Sequence, residues 1–271
     1  MTPGQRSRNL FDPTSAKPYK LSRSRLENFL KCPRCFYLDR RLGVDQPEGY
    51  PFNLNIAVDL LLKKEFDRYR ASRLPHPIMK EHGINAVPSP NENMNLWREN
   101  FKGIQVLHTP TNFLIQGAID DLWETPDGEL IVVDYKATSS DKEVSLDSEW
   151  KGGWKRQMEI YQWMLRQLGS KVSDSGYFVS ANGRRDQDGF NGQLLFHVTL
   201  LPYQGDASWV EGKIIEARDC LIGSEIPDAN PECSYCAYRN AARAMELKQG
   251  RLGDELKVVD ASGGQGVLRG I

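Results

Sequence analysis

Apolar positions along this chain follow two rhythms. Between about residues 104 and 136 they gather in short runs bounded by turn formers, which predicts strands. The clearest pair is Phe113-Leu114-Ile115-Gln116-Gly117-Ala118-Ile119 and Leu130-Ile131-Val132-Val133. Thr125-Pro126-Asp127-Gly128 separates them. Pro presets φ and Gly accepts a positive φ, so the two runs predict an antiparallel hairpin. Elsewhere the spacing is helical. Ser24-Arg25-Leu26-Glu27 has the form of a capping box and opens a helix with Leu26, Phe29 and Leu30 on one face; Pro33 ends or kinks it. A short helical piece over 36–42 is stopped by Gly43. Further helices are expected over 55–70, with Ile56, Leu60, Leu62 and Phe66, over 154–168, with Ile160, Trp163, Met164 and Leu168, and over 208–222. Two more strands fall at 176–181 and 193–200, with 182–192 as a long hairpin tip. Residues 72–95 read as a loop or insertion, and 226–240 as a Pro-containing loop.

This order predicts an α/β domain over 21–248, a mixed sheet flanked by helices with an N-terminal helical elaboration and a C-terminal cysteine cap. Residues 1–20, polar and Pro-rich, are expected to form a flexible arm, and the Gly-rich, aperiodic stretch 249–271 a disordered tail.

Composition narrows this little. The chain has 271 residues, 26% charged and 39% hydrophobic, as in ordinary globular proteins. Lys plus Arg is 35 and Asp plus Glu is 36, so a basic surface for nucleic acid must be local. No apolar run approaches the ~18 residues of a membrane span, and the start lacks an apolar signal core, so a cytoplasmic location is the default expectation.

Candidate chemistry sits on the hairpin. Folding it about its turn brings Asp120 opposite Asp134, give or take one residue, with Lys136 on the same face as Asp134. Cross-strand side chains start roughly 5 Å apart at Cβ, so the two carboxylates repel and a divalent cation between them would remove the repulsion. Two acids and a lysine on one face suit metal-assisted phosphodiester hydrolysis. Taken alone, an Asp-x-Lys after an apolar strand is common at strand ends that reach water.

The second candidate is a cysteine set. Of five cysteines, Cys32/Cys35 and Cys233/Cys236 form two Cys-x-x-Cys pairs, and Cys220 is a spare expected to be buried. Two such pairs match a four-thiolate metal site better than four small buried hydrophobes. A zinc ribbon separates its pairs by about 15–20 residues; here nearly the whole chain intervenes, so a shared ion would staple its two ends.

Gly117-Ala118-Ile119-Asp120, Val133-Asp134-Tyr135-Lys136 and Gln157-x-x-x-Tyr161 occur in an order that resembles the PD-(D/E)XK nuclease superfamily. The segments Leu21-Ser22-Arg23-Ser24-Arg25-Leu26-Glu27 and Lys31-Cys32-Pro33-Arg34-Cys35-Phe36-Tyr37-Leu38 make the resemblance closest to its RecB-like branch, which includes CRISPR adaptation nucleases and AddB-type exonucleases. It runs from about residue 21 to 242. The resemblance implies a restriction-endonuclease-like core that hydrolyses DNA, single-stranded or at duplex ends, in repair, recombination or CRISPR-type processing, with partner proteins from those systems. It implies that Asp120, Asp134 and the backbone carbonyl of Tyr135 hold Mg²⁺ or Mn²⁺, that Lys136 orients the attacking water, and that Gln157 and Tyr161 line the active site.

Two departures qualify the resemblance. Asp59 stands where this branch often has a histidine, with Asn55 at the usual glycine. Asp59 either ligates the metal through oxygen or marks a weakened site, and Glu65 is a second acid on that helix. Relatives with an iron–sulfur cluster carry a last cysteine near the position of Ala242, which is absent here; Cys35 can replace it, giving two plus two. A four-iron four-sulfur cluster is the first expectation from the resemblance and structural Zn²⁺ the alternative. Arg23, Arg25, Lys31, Arg34, Arg40 and Arg41, and more weakly Arg184 and Arg185, are candidate phosphate contacts or simply solubilising charges. The rival function is a nucleic-acid-binding module that keeps the nuclease fold with little or no catalysis.

Overall fold

The computed structural model describes residues 5–47, 49, 53–142, 144–147 and 151–261, with 250–261 described as backbone only. In chain order the elements begin with β1 (Tyr19–Ser22), α1 (Arg23–Lys31), α2 (Pro33–Leu42), α3 (Asn53–Ser72), α4 (Pro77–Glu81), β2 (Val87–Pro88) and α5 (Met94–Trp97). They continue with β3 (Ile104–His108), β4 (Phe113–Gly117), β5 (Asp121–Glu124), β6 (Leu130–Thr138) and α6 (Gly152–Gln167). The last are β7 (Ser175–Gly183), β8 (Phe196–Gln204), α7 (Val210–Ile222) and α8 (Ser234–Ala261).

Two mixed sheets result. The smaller has the order β1-β4-β3 and the larger β2-β5-β6-β7-β8. In the larger sheet β6 and β7 run parallel, joined through α6, and the other pairs are antiparallel. Both faces of β6 are covered, which is why its sequence is a continuous apolar run instead of an alternating one. Leu130 and Val132 pack with Met158, Ile160 and Met164 of α6, whereas Ile131, Val133 and Tyr135 pack with Val58, Leu62 and Phe66 of α3. Alternation therefore sends Asp134 to the α6 side.

The long hairpin is only half as expected. β5 pairs with β6 from Asp121↔Val133 to Glu124↔Leu130. The run 113–119 does not continue it: β4 belongs to the other sheet, parallel to β1 and antiparallel to β3. The chain changes sheets at 118–120, where Gly117 lets two layers meet closely. A Cβ there would lie 2.6 Å from Tyr161 Cε1.

Other differences are local. Ser22, not Ser24, caps α1, accepting from the Arg25 N–H; Glu27 instead accepts from Arg156 Nε and Nη2, at 2.9 and 2.7 Å. α2 starts at Pro33, a residue suited to a first helical turn, and ends at Gly43 in the left-handed region as expected. Residues 72–95, read as a loop or insertion, contain α4, β2 and the start of α5. Residues 5–18 are no free arm: Phe11 is buried, edge-on to Tyr19 and Phe113, and donates its N–H to the Arg40 carbonyl. Residues 249–261 continue α8 where a disordered tail was expected, and 262–271 lie outside the described residues. Among the described residues no helix is long and apolar enough to cross a membrane.

Candidate active site

The β5–β6 register carries Asp120, one residue before β5, to the position beside Asp134. Asp120 Oδ2 accepts the Tyr135 N–H at 3.0 Å, and Asp134 Oδ1 accepts Gln157 Nε2 at 2.8 Å. The Lys136 ammonium lies against Asp134 Oδ2 and 3.4 Å from Gln157 Oε1, with the Trp154 ring 5.4 Å away. Asp134 is only 1% exposed, and its Oδ2 has this ammonium beside it without a well-directed hydrogen bond. Burial pushes Asp134 above the usual carboxylate range, and the charge of Asp120 adds to this against the pull of Lys136. Burial also opposes ionisation of Asp120, but Lys63, Lys136 and the Tyr135 N–H outweigh it and hold that carboxyl low. Adjacent acids driven apart in this way, one of them buried, fit a divalent cation.

Helix α3 closes the other side. Asp59 lies one turn before Lys63, whose Nζ is 2.8 Å from Asp59 Oδ2 and 3.2 Å from Asp120 Oδ1. Asn55 donates to the Ala137 carbonyl at 3.1 Å, tying the start of α3 to β6. Asn55, Asp59, Asp120, Tyr135, Lys136 and Trp154 line an open cleft of about 510 Å³. Glu65 is not part of it: it pairs with His76 at 2.9 Å.

Sequence reading missed what holds Asp120. Arg98 Nε donates to the Asp120 carbonyl at 2.8 Å and its Nη1 grips both Asp67 oxygens, at 2.8 and 2.9 Å. Fully buried Asp121 pairs with Arg70 and Arg98 and accepts the Tyr135 hydroxyl at 2.5 Å. Consecutive strand residues face opposite sides, so Asp120 serves the cleft and Asp121 this network. The Asp-Asp pair was the available signal. Gln157 reaches the cleft acids, but Tyr161 does not line the cleft. Its hydroxyl donates to the Ala118 carbonyl at 2.5 Å, and burial raises its pKa to about 12. It braces the bend that presents Asp120.

Several expected phosphate contacts are committed internally. Arg25 pairs with Asp39 and Asp45, Arg40 lies buried on Asp39, and Arg41 donates to the Phe11 carbonyl. One buried carboxylate, Asp39, draws in Arg6, Arg25 and Arg40, which spacing alone does not reveal. Exposed Arg184 and Arg185 pair with Asp186 and Asp141. Lys31 is exposed, 3.7 Å from Glu27, and Arg23 lies beside Gly117 at the start of α1.

The two cysteine pairs converge from opposite ends of the chain. Cys32 precedes α2 and Cys35 lies in its first turn; Cys233 precedes α8 and Cys236 lies in its first turn, so part of the expected 226–240 loop is helix. The four sulfurs all lie within 4.8 Å of one another. Cys35 Sγ is 3.6 Å from Cys233 and 3.5 Å from Cys236, and Cys32 is 3.8 Å from Cys236. Zinc–sulfur bonds of about 2.3 Å in a tetrahedron put sulfurs roughly 3.8 Å apart, so the spacing fits one ion. A four-iron cluster has irons at alternate corners of a cube with thiolates pointing outward; it needs a wider set than this one. Cys220 stands outside, its Sγ 3.9 Å from the Pro33 carbonyl.

A model of the PD-(D/E)XK nuclease superfamily matches residues 53–241. No curated protein matches the chain. A solved structure described as "Crystal structure of SSO0001" is 16% identical, with 80% of this chain and 90% of that chain covered and a TM-score of 0.27. The family match spans α3 through the first turns of α8, and inside it lie both acids, Lys136 and Gln157. This chain belongs to the PD-(D/E)XK nuclease superfamily.

Proposed function

We propose that this protein is a divalent-metal-dependent nuclease that hydrolyses phosphodiester bonds in DNA, with exonuclease action of the RecB-like kind. The observation that carries the reading is the clustering of Asp120, Asp134, Lys136 and Gln157 beside one cleft, with Asp134 buried against the Lys136 ammonium. Asp120, Asp134 and the Tyr135 carbonyl would hold Mg²⁺ or Mn²⁺, with Asp59 as a further oxygen donor. When bound, such an ion supplies a more acidic water and a polarised phosphate. Gln157 holds Asp134 and Lys136 together, fixing the ammonium where it offsets charge developing on the phosphate. Tyr161 and Arg98 keep Asp120 in place through the backbone of the sheet-to-sheet bend. Arg23, Lys31 and Arg34 are the remaining N-terminal candidates for phosphate backbone. Repair, recombination or CRISPR-type processing is the setting this reading favours. It is supported by the N-terminal motif and the cysteine pairs.

The cysteine centre, on this reading, holds one Zn²⁺ that ties α2 to α8 and takes no part in hydrolysis. A non-catalytic binding module is the second reading, favoured by the pairing of Lys63 with two of the cleft acids. Labelled single- and double-stranded DNA incubated with Mn²⁺, Mg²⁺ or chelator separates the two. The nuclease reading expects cleavage only with the ion; binding without cleavage under every condition would establish the module instead.

A further inference from the structure

Three acids, Asp59, Asp120 and Asp134, and two ammonium groups meet beside the cleft. Lys136 answers Asp134. Lys63 spans the other two, 2.8 Å from Asp59 and 3.2 Å from Asp120, with its side chain 19% exposed. It contacts the same Asp120 carboxylate that the cation reading assigns to metal, and it arrives from the helix that carries Asp59. Asp59 and Lys63 form an i,i+4 pair on α3, which itself packs on β6, so the ammonium is delivered by a fixed element at the end of a flexible stem.

We propose that Lys63 is a tethered counter-ion that neutralises Asp59 and Asp120 in the metal-free protein and is displaced when the divalent cation binds. The inference rests on the metal-dependent reading of this site. An ammonium and a divalent ion on the same carboxylates compete, so Lys63 weakens metal binding and keeps the empty site from repelling itself apart. Once displaced, the ammonium stays within reach of the cleft, on the side opposite Lys136, where an incoming phosphate brings negative charge.

The test is Mn²⁺ binding to the full-length protein, read by calorimetry and by electron paramagnetic resonance of the free ion. Mn²⁺ prefers oxygen donors, which keeps the titration off the thiolate centre. Lys63→Met should bind roughly two- to fivefold more tightly than wild type, the scale of one such ion pair. Lys63→Arg, which keeps the charge, should stay nearer wild type than Lys63→Met does. Equal or weaker binding by Lys63→Met overturns the inference, as does Lys63→Arg behaving like Lys63→Met. If Lys63→Met is unfolded without metal, Lys63→Gln supplies the readout by melting temperature. Mn²⁺ should then raise it more than it raises wild type, and an equal or smaller rise overturns the inference. A wild-type protein that binds no Mn²⁺ removes the metal-dependent reading and this inference with it; wild-type binding without tightening in the variant removes only the inference.

Discussion

Asp134 shows how one residue's surroundings set both its chemistry and its cost. Burial and the charge of Asp120 both oppose ionisation of its carboxyl. A carboxyl whose folded pKa lies above its unfolded value binds more protons folded than unfolded, so stability falls as pH rises through that interval. Asp134→Asn removes this titration. In chelator the variant should melt above wild type by a margin that widens as pH rises from the ordinary carboxylate range, while cleavage is lost. A constant or reversed margin in pH-dependent melting would show that Lys136 outweighs burial. At this scale strand register, which is local, made the placing of Asp120 beside Asp134 and Lys136 legible, whereas Gln157 came only from the resemblance. The sequence did not reveal Lys63 or Arg98, whose partners lie 57 and 22 residues away. Nor did it reveal that Tyr161 turns to a backbone carbonyl.

Among the elements, the change of sheet at 118–120 matters most. The apolar run 113–119 looked like one strand because periodicity cannot tell which sheet a residue joins. The hairpin turn and β5–β6 register were legible from Pro126, Gly128 and the apolar runs. Gly117→Ala would press a methyl against the buried Tyr161 ring and should cost about 1–3 kcal/mol in denaturant melts. Because Asp120 follows three residues later, cleavage should fall with it; a neutral outcome would mean that the bend does not depend on this close approach. The N-terminal segment makes a similar point. Its polar, Pro-rich composition concealed one anchoring aromatic, Phe11, which is 8% exposed. Phe11→Ala should therefore destabilise by about 3 kcal/mol, whereas a free arm would give no change.

Over the whole molecule, the two sheets and their helices place one cleft between α3, β6 and α6, and the cysteine pairs draw the chain's distant ends together. Two Cys-x-x-Cys spacings made the convergence of the four thiols legible. They could not distinguish one ion from a cluster, because that depends on sulfur separation in space. The protein is expected to purify colourless with one zinc per chain by elemental analysis. Serine at Cys32, Cys35, Cys233 or Cys236 should lower its stability sharply, and Cys220→Ser should cost only a packing loss. A brown protein with four irons per chain would contradict the single-ion centre. On the proposed reading Lys136 acts on the phosphate in a cleft whose acids hold the ion. The most direct measurement pairs single-turnover DNA cleavage with Mn²⁺ binding for wild type and Lys136→Met. Cleavage should fall at least about 100-fold, the usual loss for one charge-stabilising donor, while Mn²⁺ is still bound. Wild-type cleavage by Lys136→Met would mean that this ammonium takes no part in hydrolysis.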